Sequence, residues 1–170
     1  GNRNPFVDRP EWADCLFLDV CGVVINAGMN DAWNNPETAG QGLLLTVLPT
    51  YKLMFLAMFT FETERPPEDT PFNIGEPGHR WITALGPYSG NSATLKVEIT
   101  SDGVFNQAEP VVPQTEDGTF TLEFSDCSNA MLTYDMPVTG LQGTIPLQRI
   151  VKDNAKLCET LSRELQLGEL

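Results

Sequence analysis

The sequence predicts a mainly β protein: an antiparallel up-and-down barrel, or a strongly curled meander, of about eight strands with a C-terminal α-helix packed on it. Three observations predict it. Segments such as "TLKVEIT" and "TFTLEFS" alternate apolar and polar residues with period two, as strands with one wet face do. Turn residues punctuate the chain at short intervals, as in "SDG" and "DCSN". After Asp153 the period changes, and Leu157, Leu161 and Leu165 recur every four residues, which marks one face of a helix.

In chain order, Pro10–Ala13 suits a short helix opened by proline, and Leu16–Ile25 is apolar and β-branched enough for a strand. Gly42–Leu48 and Lys52–Phe61 form a hairpin around Pro49-Thr50-Tyr51. "ETERPPEDTPFNIGEPG", residues 62–78, is a long acidic loop rich in proline, and such loops are disproportionately functional. Arg80–Leu85 is a strand ended by Gly86-Pro87, and Ser92–Thr100 is ended by Ser101-Asp102-Gly103. A second proline-rich connection covers Phe105–Asp117, with "EDG" at 116–118 as a turn signal. Thr119–Ser125, Met131–Met136 and Thr144–Ile150 complete the set, and Gly168 stands just past the helix. The chain reads as one domain over residues 1–170: an N-terminal extension at 1–26, a barrel at 27–150 and the helix at 151–168.

In "KLMFLAMFTF", Leu53, Phe55, Ala57, Phe59 and Phe61 fall on one face and Met54, Leu56 and Met58 on the other. Both faces are apolar, so the second needs a cover. The C-terminal helix, helped by Trp12 and Leu16–Leu18, is the expected one, and another subunit is the alternative.

Composition narrows the partners. With 10 Lys+Arg against 23 Asp+Glu, the net charge of -13 has the wrong sign for a nucleic-acid binder or an anionic membrane surface. No apolar run is long enough for a membrane helix. The first ten residues lack a basic start followed by an apolar stretch, and there is no initiator Met. The start therefore reads as trimmed, with Gly1 as a cleavage scar and a signal peptide already removed.

Cys15, Cys21, Cys127 and Cys158 form no Cys-x-x-Cys pair, and His79 is the single histidine. That argues against a zinc site. Four widely spaced cysteines fit two disulfides in an oxidising compartment, periplasmic or extracellular. Three connectivities are possible. Cys15–Cys21 with Cys127–Cys158, each joining sequence neighbours, is the expected one, and reduced thiols are the alternative.

No nucleophile elbow, phosphate loop or calcium loop is present, and no cofactor is implied. A hydrolase would have to use His79 with loop carboxylates such as Glu62, Glu64, Glu68 and Asp69. What remains is aromatic and amide material at strand ends: Trp33, Asn34, Asn35 and Gln41 before one strand, His79, Arg80 and Trp81 opening another, and Tyr88 closing it. Barrel rims are where small ligands usually enter, and aromatic faces with amides suit sugars or planar molecules. These eight are the candidate ligand residues. The alternative is that Trp33 and Trp81 are core aromatics that plug the barrel bottom.

The segments "NDAWNNPETAGQGLLLTVLP", "LAMFTFETERPPEDTPFNIGEPGHRWITALGPYSGN", "GTFTLEFSDCSNAMLTYDMP" and "GLQGTIPLQRI" come in an order that resembles an uncharacterised family of secreted Gram-negative bacterial domains, over about residues 25–158. Its members show a Trp-x-Asn-Pro-x-x-x-Gly-x-Gly opening. The resemblance implies an exported protein and no known activity. Ala130, where glycine is usual, and Met58-Phe59, in place of an aromatic pair, depart from the pattern. Trp33-Asn34-Asn35 is also similar to the first-strand segment of avidin-type, calycin-like barrels.

Two functional classes follow: a non-catalytic domain binding a small molecule or glycan at a barrel rim, and a protein-interaction or envelope structural module, such as an inhibitor of secreted enzymes or a homo-oligomer.

Overall fold

The computed structural model describes residues 22–69 and 79–168. Eight antiparallel strands close into a barrel in simple sequence order. They are β1 Asp31–Asn34, β2 Gly42–Leu48, β3 Leu53–Phe61, β4 His79–Ser89, β5 Ser92–Thr100, β6 Gln114–Phe124, β7 Asn129–Met136 and β8 Leu141–Arg149. Helix α1, Ala155–Leu167, follows. The expected helix at Pro10–Ala13 and the Cys15–Cys21 bond lie outside the described residues.

Period-two alternation places the inner face. Leu95 and Val97 on β5, Phe120, Leu122 and Phe124 on β6, and Met54 and Leu56 on β3 are all buried. The outer face of β3 is not covered by the helix, contrary to the expectation above, and Trp12 and Leu16–Leu18, expected to help cover it, lie outside the described residues. Phe59 is 51% exposed and pairs with Trp81 on β4; Leu44, opposite Ala57 on β2, and Leu85, opposite Phe55 further along β4, have comparable exposure. The helix instead packs on the 3-10 turn Ala27–Met29 at one end of the barrel.

It docks with small residues. Cys158 and Ser162 are its buried positions, while Leu157 faces solvent. The seam is centred on Cys158 and Ser162, and of the leucine stripe Leu161 and Leu165 are half-buried beside it. Gly28 lies so close to the Cys158 backbone that any side chain there would collide with it. The Val24 amide donates to Ser162 Oγ at 2.7 Å. The helix opens at Asn154 rather than at Asp153 and closes on Gly168 in the left-handed region.

Several boundaries differ from expectation because glycine and proline here bend strands as well as end them. β4 runs on through Gly86-Pro87 to Ser89. At Gly86 the β5 backbone passes within contact distance of the place a Cβ would occupy, so glycine permits a close strand crossing. "EDG" is no turn. It lies inside β6, where Asp117 and Gly118 together face Val97 in a bulge between the Lys96–Thr119 and Glu98–Glu116 pairs. Gly118, at φ +76°, supplies the backbone conformation that the bulge needs. Leu16–Ile25 does not supply the first strand over its described part, since residues 22–25 are irregular. That role falls to the four-residue β1.

The end beneath α1 is plugged. Trp33 is fully buried, donates from Nε1 to the Met29 carbonyl at 3.2 Å, and meets Phe124 edge-on at 5.5 Å. The Arg149 guanidinium lies 4.6 Å from the centre of the Trp33 ring. It also donates to Asp31 Oδ2 at 2.7 Å, to the Gly28 carbonyl at 2.9 Å and to the Cys127 carbonyl at 2.8 Å. Cys127 is bonded to Cys158, so the helix is stapled to the plug.

Candidate ligand-binding cavity

The other end of the barrel holds a cavity of about 520 Å³. Its walls are inward-facing side chains from six strands, among them Met58, Ile82, Ile99, Phe120, Leu132 and Ile145. Its floor is the packed layer above the Trp33–Arg149 plug. Polar groups gather at the mouth: Gln41, Thr60, Glu62, Thr63 and Thr139. Thr60 Oγ1 donates to Gln41 Oε1 at 2.6 Å.

Two local devices shape the mouth. Asp117, fully buried, accepts from the Val138 amide at 2.7 Å and the Thr139 amide at 3.2 Å. The bulge that turned Asp117 inward therefore also fixes the β7–β8 turn at the rim. Directly opposite each other on β7 and β8 stand Tyr134 and Gly143. A Cβ on residue 143 would stand 2.5 Å from the Tyr134 hydroxyl oxygen, so glycine leaves room for the Tyr134 ring along the wall.

The eight residues expected at a rim are not brought together. Gln41 lies at the cavity mouth. Trp33 is enclosed in the plug at the far end. Asn34 ends β1, and the Asn35 side chain accepts from the Glu37 amide at 3.1 Å within the turn that follows. His79 and Arg80 begin β4, in register with Phe61 and Thr60. Trp81 pairs across strands with Phe59 on the outer face. Tyr88 sits near the other end of β4, with the Lys52 ammonium 5.9 Å from its ring centre. Partial burial holds its hydroxyl above the ordinary tyrosine pKa of 10.0.

The cavity is apolar along its walls and polar at its mouth. Among the described residues no cluster of three His, Cys, Asp or Glu side chains could hold a metal ion. Among the described residues, no helix is long and apolar enough to cross a membrane. Comparison with models of known protein families, with curated proteins and with solved structures finds no match.

Proposed function

We propose that this is an exported, non-catalytic binding protein that holds a small, mainly apolar molecule in the barrel lumen. The observation that carries the reading is the 520 Å³ cavity, apolar along its walls and polar only at its mouth. That size and lining are typical of small-molecule sites. A glycan is the weaker fit, because Trp33 and Trp81 do not line the lumen. The buried Cys127–Cys158 bond supports an oxidising, extracytoplasmic location. The resemblance to secreted bacterial domains and the calycin-like layout point the same way.

The test is titration with a neutral fluorescent dye, N-phenyl-1-naphthylamine. The protein should bind it with blue-shifted emission. Gly143→Val drives the Tyr134 ring into the lumen and should weaken binding about tenfold or more, equivalent to roughly 1.4 kcal/mol, with the circular dichroism spectrum unchanged. Unaltered affinity in a folded Gly143→Val variant would place the dye outside the lumen.

A second reading, a protein-interaction module, is favoured by one observation. On the outer face of β2–β4, Phe59 and Trp81 form an exposed cross-strand pair, with Leu44 and Leu85 exposed further along, and large exposed apolar patches mark interaction sites. On that reading light scattering shows concentration-dependent association, which Phe59→Lys abolishes. A strict monomer at all concentrations, with no partner retained from an envelope extract, would count against it.

A further inference from the structure

Among the described residues β1 and β8 close the barrel through two residue pairs alone, and the backbone says why the ladder is so short. Arg149 N–H bonds to the Ser128 carbonyl at 3.0 Å, on the β7 side, and Ile150 N–H bonds to the Ala32 carbonyl at 3.0 Å, on the β1 side. Backbone groups alternate sides along an antiparallel strand. With β8 in unbroken register against β7, the even-numbered residues of β8 therefore aim their backbone groups toward β1. β1 pairs with β8 only at Trp33–Arg149 and Asn34–Gln148.

The next pair on that side would be Pro36 with Pro146. Neither has an N–H, so the ladder stops there. The chain then turns away at once: the Thr38 amide bonds back to the Asn35 carbonyl at 3.0 Å. Above this point Thr144 and Gln142 face the β1 side with no backbone partner among the described residues. On the inner face of β8 Leu141, Gly143 and Ile145 are half-buried, as Tyr134 is on β7, while Leu132 and Met136 on β7 are buried. Leu141 and Ile145 of β8 and Gln41 of the turn also line the cavity, so both sides of this seam border the lumen.

The geometry points to a lateral slot between β8 and the residue 35–41 turn through which the lumen ligand leaves the barrel, with an amide-bearing head pairing to the backbone of Thr144 and Gln142, which has no partner among the described residues. This rests on the lumen reading above and gives it a ligand class: a neutral molecule with an apolar tail and a secondary amide, such as an N-acylated amino acid or peptide. A free strand edge offers alternate donors and acceptors, the complement of an amide, and peptide-like groups add to such edges in this way. Pro36 and Pro146 keep β1 from filling the place.

The experiment compares N-dodecanoylglycinamide with methyl dodecanoate, which has the same tail but no N–H. The amide probe should bind roughly three- to tenfold more tightly, the worth of one or two hydrogen bonds. In amide hydrogen exchange of the free protein, Gln142 and Thr144 should exchange fast, and the amide probe should slow them while the ester does not. The double variant Pro36→Val with Pro146→Val should extend the β1–β8 ladder, protect the new amides and remove the preference for the amide probe, with dye binding retained. Protection of Gln142 and Thr144 in the free protein would overturn the slot. So would equal affinity for the two probes with unchanged exchange while the dye still binds. Failure of dye and both probes alike would overturn the lumen reading, and the slot with it.

Discussion

Replacing Arg149 by alanine is expected to destabilise the protein by about 3–5 kcal/mol, the range seen when one partner of a buried ion pair is removed. The Arg149 side chain is fully buried, and that of Asp31 is 9% exposed. Loss of the guanidinium leaves the Asp31 carboxylate and the Gly28 and Cys127 carbonyls without their donors, and it removes the cation from the Trp33 face. For a chain of this size the melting temperature should fall by roughly 6–20 °C. Arg149→Lys keeps the charge but not the fork that reaches three acceptors, so it should lose a smaller but clear part. The double variant Asp31→Leu with Arg149→Met removes both charges, and such apolar replacements are often close to neutral. It should therefore be markedly more stable than Arg149→Ala. Urea unfolding of the four proteins checks this. If the double variant is as unstable as the single one, the plug depends on packing and not on the satisfied charge.

Nothing in the sequence singled out Arg149, although the signal was available. It shares the odd-numbered register of Ile145 and Leu147, so it faces inward, where an arginine needs partners. The same parity separates the expected ligand residues. Trp81 is one residue from Ile82, which lines the cavity, and so must point out of the barrel. Grouping residues by their nearness to strand ends mixed two faces and two ends. Alternation along each strand would have sorted them.

The fold was legible wherever a strand was long enough to show its period. Ser92–Thr100 has the bounds expected of it, because its wet and core faces alternate without interruption. β1 has four residues, too few for a period to show, and it is recognised only by its pairing with β2 and β8. Punctuation by glycine and proline was misleading at Gly86-Pro87 and at Gly118. In a tightly curled barrel a close crossing and a bulge require the same residues that turns do. At Pro36 and Pro146 that punctuation does stop a ladder, but only the register across the seam brings the two prolines opposite each other.

The other large effect expected is that of the disulfide. Cys127 and Cys158 are 31 residues apart, with Cα atoms at 5.8 Å. Closing a loop of that length is worth about 3–4 kcal/mol in the chain-entropy model. Cys127→Ala with Cys158→Ala should lose that much in urea unfolding, and helix α1 should become the first element to exchange its amides. The alanines keep the small-residue seam, so Gly28 still has room beneath the helix, and the loss reads the bond and not a clash. Because α1 caps the plugged end and the cavity opens at the other, binding of N-phenyl-1-naphthylamine should survive within about twofold. Stability and binding would then be separable, the first governed by the stapled plug and the second by the lumen. Loss of dye binding in the folded alanine pair would instead mean that the plug sets the shape of the lumen, and that the barrel responds as one body to the release of its helix.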